Sequence, residues 1–472
     1  MENVKPQKGT NLESGSILKN ILLFALPYLI LNLLQNLFHT TDIAILGIMV
    51  DDEAVAAVGA ISSLNNLLIN FFVGLSVGVQ AVLAKHIAAK QEKDAKRTVG
   101  ASIFFSLFAG VVILLCAYPF VEDILILMSC APELIPLAAK YLKIYLLGMP
   151  IMMLYNFSAA ILRDNFQLIR CLVIGCLLNV GLDWLFVWLG YGVEGVAVAT
   201  MIAQFVSAAL IVIELFKSQN YYGLRIRYFN FNFKHLKEIL YTGLPVAIRS
   251  LIFGFATVIM QVYINKLGAL EMSGSTVAQQ FDAIIYDVGN AIAVATMIVI
   301  GQGVVEKKMS AVKRSIVIGG IVAFCCTALL GAIFTIYARQ LCGFIVDEKE
   351  VVDFAIKRLS IMSLTYFMCA ISEVLSYSVQ ALGMSKESLK VSVFGECILR
   401  LALLFLAVNF FPDKFLGIFL VYPISWFVTL LAHLAKVPPA FSWLAKQMES
   451  NESAEEVIKE IQEDIEIVIM EN

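Results

Sequence analysis

Along almost its whole length this sequence repeats one pattern: a run of about 20 or more apolar residues, a short polar break, and another run. A helix of that length spans the hydrocarbon core of a bilayer, and helices are favoured there because lipid offers the backbone no hydrogen-bond partner. Twelve such helices are expected, near 18–47, 54–84, 98–118, 137–161, 168–189, 194–216, 236–264, 274–302, 314–337, 355–382, 389–410 and 415–436. The spacing therefore predicts an all-α integral membrane protein. Several runs exceed the minimum, so tilting, kinks or extension beyond the lipid are expected. Pro27 and Pro245 fall inside the first and seventh runs. Each removes a backbone donor and invites a bend, which makes both candidate hinges.

Composition points the same way. Of 472 residues 60% are hydrophobic and only 15% charged, against about 25% charged in a soluble domain. A net charge of -3 gives no reason to expect nucleic acid as a partner. The nine cysteines lie mostly within apolar runs and form no C-x-x-C pair, and only four histidines are present. Buried thiols are expected rather than a zinc site or a disulfide framework. The first run continues from about Leu18 to Gly47 without a small-residue cleavage site, so it reads as a membrane helix and not a cleavable signal.

The basic residues set a topology. With the N-terminus in the cytoplasm, 24 of the 34 lysines and arginines fall in cytoplasmic segments and 8 outside, leaving Arg249 and Arg400 within helices. A missed helix would invert every later loop and destroy that bias. A multi-pass protein of the cell membrane with both termini cytoplasmic is expected. The two halves resemble each other. Ile17-Leu18-Lys19-Asn20-Ile21-Leu22 leads to Pro27, and His235-Leu236-Lys237-Glu238-Ile239-Leu240 leads to Pro245. Lys96-Arg97 and Lys313-Arg314 stand at matching places. Six helices per half is an even number, so the repeat is parallel, with its pseudo-two-fold axis along the membrane normal. The expected organisation is a six-helix lobe over 1–216, a linker over 217–235, a second six-helix lobe over 236–436 and an acidic tail over 437–472. The linker is basic and aromatic, as suits a cytoplasmic interface. In the tail Ile458, Ile461, Ile465 and Val468 recur at helical spacing.

Ionisable side chains inside a membrane are costly, so each one marks a candidate functional position. Gln35, His39 and Asp42 share one face of the first helix. Asn179 and Asp183 are one turn apart in the fifth, and Thr200 stands in the sixth. Counted from the helix ends, Asp42, Asp183 and Thr200 lie at one depth. Two carboxylates at one level with amide and hydroxyl neighbours can share a proton or hold a small hard cation such as Na⁺ through oxygen ligands. The second half carries a different cluster: Arg249, Gln280, Asp287, Asn290, Glu373, Glu396 and Arg400. Matched depths suggest an Arg249–Asp287 ion pair, and Glu396 and Arg400 stand at i, i+4 in the favourable order. These pairs could lock helices together or serve a substrate.

In this setting the sequence resembles the multidrug and toxic compound extrusion (MATE) transporters, and among them the bacterial DNA-damage-inducible-type branch. The likeness covers about 15–436. It rests on Pro27 followed by Thr41-Asp42 and Gly47, on Ala54-Val55-Ala56-Ala57-Val58-Gly59, and above all on Leu178-Asn179-Val180-Gly181-Leu182-Asp183 and Gly192-Val193-Glu194-Gly195-Val196-Ala197-Val198-Ala199-Thr200. Gly301-Gln302 and Ile398-Leu399-Arg400-Leu401 echo the second half. The resemblance implies a V-shaped pair of six-helix lobes that exports cationic amphiphiles against a proton or sodium gradient. It further implies that Asp42, Asn179, Asp183 and Thr200 form the first-lobe proton or cation site, with Gln35 lining the same cavity. The loop after the fourth helix departs from the usual L-R-G-x-G-D, reading Leu162-Arg163-Asp164-Asn165-Phe166-Gln167. The seventh-helix carboxylate of the family's sodium-coupled branch is not evident either, Arg249 being the only ionisable residue in that region, so the resemblance favours coupling through the first lobe.

The expected activity is thus that of a monomeric antiporter, using a coupling ion and no cofactor, for small organic cations. A lipid-linked oligosaccharide flippase would need a strongly cationic cavity, whereas Arg249 and Arg400 each have an acidic candidate partner. A membrane-embedded acyltransferase would need a catalytic histidine or an Asp-rich motif at a membrane face. His86 and His235 lie in basic loops without an evident partner, and His433 is isolated. No G-x-x-x-x-G-K-[ST] string occurs, so an ion gradient or the substrate's own gradient must supply the energy.

Overall fold

A chain this apolar satisfies its backbone inside helices, and the computed structural model contains no strand among the described residues, 16–88, 91–162, 165–220, 223–229 and 233–449. The first half comprises α1 (Ser16–Met49), α2 (Asp52–Ala88), α3 (Glu92–Ala117), short α4 (Val121–Leu127), α5 (Ile135–Leu147), α6 (Met149–Ile161), α7 (Asn165–Trp188) and α8 (Gly192–Lys217). The second comprises α9 (Phe233–Asn265), α10 (Ala269–Val305), α11 (Met309–Ile336), short α12 (Ala338–Cys342), α13 (Lys349–Met362), α14 (Tyr366–Ala381), α15 (Ser385–Ser392), a π-helical segment (Val393–Leu399), α16 (Arg400–Phe410) and α17 (Lys414–Glu449). Among the described residues ten spans are long and apolar enough to cross a membrane, and counting each of two bent pairs as one span gives twelve. The end of the bundle where α1 begins carries most basic loops and is called the basic end below.

The two bends fall at the same place in each half, the fourth span. They are 51° between α5 and α6 and 45° between α13 and α14. Gly148 and Pro150 account for the first, since proline cannot donate to the preceding turn. At the second, the Thr365 hydroxyl faces the carbonyls of Ile361 and Met362 at 2.8 and 3.0 Å and can satisfy one of them. A short helix also follows the third span of each half, α4 and α12. Each bent pair corresponds to one expected span, 137–161 or 355–382.

Small residues let the halves approach closely. Gly74 of α2 faces Ala247 of α9, Gly78 faces Gly243, and Gly59 faces Thr276 of α10. At the end opposite the basic loops, Leu46, Ala57, Ile61 and Tyr141 of the first half share a continuous apolar core with Met272, Val277, Val346 and Leu359 of the second. Large apolar side chains such as Leu177, Trp188 and Phe410 are exposed on the outside, as a lipid-facing surface requires. The linker folds back on itself. Arg225 donates to the carbonyls of Phe216 and Ser218 at 2.9 and 3.1 Å, and the chain at Tyr228 packs on Gly100 of α3. The tail positions Ile458 to Val468, Arg163, Asp164 and the Pro245 side chain lie outside the described residues.

Candidate functional site

Asp42 sits two turns before the end of α1, and α5, α7 and α8 close around it. The Thr200 hydroxyl is 3.0 and 2.9 Å from its two carboxylate oxygens. The Tyr141 hydroxyl donates from 3.3 Å and the Asn179 amide from 3.4 Å. Asp183, one turn beyond Asn179 on α7, lies close enough to Asp42 for the two carboxyl groups to act on each other. All five residues are buried, Asp42 and Asp183 completely. The structure thus brings Asp42, Asn179, Asp183 and Thr200 into one cluster.

The cluster has unused acceptors. The Asn179 carbonyl oxygen and both oxygens of Asp183 are buried, and no hydrogen-bond donor reaches them among the described residues. Leaving such atoms bare is costly, and two adjacent carboxylates repel unless a proton or cation lies between them. The donor set is all oxygen, which suits a proton or a hard cation such as Na⁺ and not a soft metal. Tyr141 was not singled out from the sequence. Neither was Tyr145, which stacks on it one turn later with ring centroids 6.2 Å apart. Tyrosine is ordinary in apolar helices, so only the i, i+4 spacing on a buried face hinted at a paired role.

Thr200 and Tyr145 are also part of the wall of a central cavity of about 710 Å³ between the halves. Gln35 and His39 line it from α1, Asn66 and Asn70 from α2. From the second half come Arg249, Asp287, Asn290, Glu373, Glu396 and Arg400. The ion-binding candidates therefore lie one side-chain layer behind the cavity, with Thr200 belonging to both. Gln280 is not in the wall.

The second-half cluster is not arranged as the spacing suggests. Asp287 accepts a hydrogen bond from Asn36 of α1 and makes no ion pair with Arg249. Asn290 donates to the Tyr28 hydroxyl at 2.7 Å, and Gln280 accepts from Thr40 at 3.2 Å. The polar face of α10 is therefore engaged by α1. Arg249 instead lies near enough to attract Glu373 and Glu396, without an ion pair inside 4.0 Å among the described residues. Glu396 and Arg400 make no ion pair within 4.0 Å among the described residues, because Glu396 lies in the π-helical segment, yet the two remain close enough to attract each other. Arg400 instead donates to Ser425 at 3.2 Å and lies 4.9 Å over the Tyr422 ring. A buried pair that sequence reading overlooked is Arg358–Asp282, at 3.0 Å, with Ser275 and Ser363 completing it.

The histidines also acquire partners. His433 bonds Ser372 at 3.0 Å within the core, and His86 and His235 face each other with ring centroids 5.6 Å apart.

A family model described as MatE matches residues 27–185 and 245–406, once in each half. A probable multidrug resistance protein of Bacillus subtilis, YoeA, is 23% identical over 446 residues, covering 92% of this chain and 96% of that protein. The multidrug export protein MepA of Staphylococcus aureus is 22% identical over 397 residues, covering 82% of this chain and 86% of that protein. Among solved structures, the inward-facing conformation of a multidrug resistance MATE family transporter superposes with a TM-score of 0.79 at 23% identity, over 89% of this chain and 99% of that one.

Proposed function

The chain belongs to the MatE family, and we propose that it is a multidrug antiporter that exports organic cations in exchange for H⁺ or Na⁺ bound at the Asp42–Asp183 cluster. The observation that carries this reading is the buried pair of carboxyl groups with unused oxygen acceptors, separated from the cavity only by Thr200 and its neighbours. Within the family we assign it to the DNA-damage-inducible-type branch on the Leu178–Asp183 string. We place it in the cell membrane as a monomer with the basic end and both termini in the cytoplasm.

The residues divide the work. Asp42 and Asp183 bind the ion, with Asn179 and Tyr141 orienting Asp42. Asp287, Glu373 and Glu396 outnumber Arg249 and Arg400 on the cavity wall, a balance that suits a cationic guest better than a pyrophosphate. Exchange follows from charge. With the ion absent the cluster is anionic and needs polar surroundings, whereas an occupied cluster tolerates apolar packing. Because α1 carries Asp42 towards the first half and Tyr28, Asn36 and Thr40 towards α10, occupancy can be transmitted to the cavity through one helix. Proteoliposomes loaded with a cationic dye test the reading. Dye movement should follow an imposed proton or sodium gradient in the parent and not in Asp42→Asn at matched reconstitution. Gradient-driven movement in the variant equal to the parent would refute the site.

A further inference from the structure

Away from the transport site, at the basic end, three metal-ligating side chains from both halves converge. His86 comes from the last turn of α2; His235 and Glu238 stand one turn apart in the first turns of α9. Their ligand atoms all lie within 4.8 Å of one another. His86 Nε2 is 3.6 Å from Glu238 Oε2, and His235 Nε2 is 3.6 Å from Asp94 Oδ1 of α3.

The far side of each ring fixes its orientation. His86 Nδ1 is 2.9 Å from the Gln91 side-chain carbonyl oxygen, an acceptor, so Nδ1 carries a proton and the neutral ring offers its Nε2 lone pair towards Glu238. His235 Nδ1 is 3.4 Å from the Thr98 hydroxyl, which itself lies 2.9 Å from the Asp94 backbone carbonyl, an arrangement that turns Nε2 towards the Asp94 carboxylate. His86 is only 7% exposed, and its Nε2 has no hydrogen-bond partner. An imidazole lone pair aimed at a carboxylate gains nothing unless a cation lies between them.

We propose that His86, His235 and Glu238 bind a zinc-class divalent ion, with Asp94 or water at the fourth position. Two imidazole nitrogens and a carboxylate suit zinc and its first-row neighbours and not calcium or magnesium. Gln91 and Thr98 are the outer partners that such histidines ordinarily keep. Asp94 is shared with Arg97 at 3.4 Å, which makes it the weakest of the four. The Glu238 side chain is 35% exposed and opens a path from water. A bound ion ties the end of α2 in the first half to the start of α9 in the second, at the seam where Gly78 meets Gly243.

The test uses the full-length protein in detergent, stripped with a chelator and titrated with Zn²⁺, then separately with Co²⁺. The parent should retain one Zn²⁺ per chain after desalting, gain thermal stability, and give the intense visible absorption of four-coordinate cobalt. His86→Ala should bind at least about 10-fold more weakly. Glu238→Gln keeps size at a half-buried position and carries the same comparison if His86→Ala does not fold. Failure of the parent to retain zinc, or equal affinity in parent and variants, overturns the site.

Discussion

Thr200 has one hydroxyl proton and three acceptors within reach: the two oxygens of Asp42 and the Val196 carbonyl at 2.9 Å. When Asp42 is charged the proton serves the carboxylate; when Asp42 is neutralised it can return to the backbone. Asp42→Asn and Asp183→Asn keep shape and remove charge, so each should abolish ion-coupled dye export while leaving detergent thermal stability near the parent's, and export at parental rates in both would refute the assignment. The buried Arg358–Asp282 pair behaves differently. Arg358→Met strands a carboxylate and should cost about 3–5 kcal/mol, whereas Arg358→Met with Asp282→Leu should recover most of it. Thermal unfolding of the two singles and the double checks this, and strictly additive losses would contradict the pairing. Asp42, Asn179, Asp183 and Thr200 were legible in the sequence because charged and amide groups stand out in apolar runs. Arg358 was not, since it lay near the expected end of a span and read as a loop cation.

At the scale of the element, α1 is the helix both halves share. Pro27 lies fifteen residues from Asp42, roughly 22 Å along the axis, beside Tyr28, which holds Asn290 of α10. Bending at Pro27 would let the basic end of α1 move without dislodging Asp42. Pro27→Ala should leave substrate binding measurable and weaken its dependence on pH or sodium; an unchanged ion dependence in binding titrations would reject the hinge. Helix spans were readable from apolar length, but their interruptions were not. Gly148 and Pro150 stand at the α5–α6 break, Thr365 caps carbonyls at the α13–α14 break, and the π-helical segment at Val393–Leu399 shifts Glu396 from the position that i, i+4 spacing assigns to it.

For the whole molecule, the halves meet along α2–α9 and α1–α10 around a polar cavity. Gly78 allows that contact because a side chain there would strike the Gly243 backbone. Gly78→Leu should lower thermal stability by several degrees and reduce transport, since overpacking typically costs about 1–3 kcal/mol; unchanged stability would show that the seam is looser than the structure has it. The repeat was legible from L-K-x-I-L-x-x-x-L-P, whereas the crossing of α1 onto α10 was not, because side-chain partners across a repeat axis leave no mark in local spacing. Under the proposed function, an ion at Asp42 and Asp183 governs substrate binding in the cavity. Substrate affinity of the purified protein, titrated across pH and across sodium for the parent and for Asp183→Asn, tests it most directly. Parental affinity should shift with one of the two ions and the variant's should be flat in both; the same ion dependence in parent and variant would contradict it.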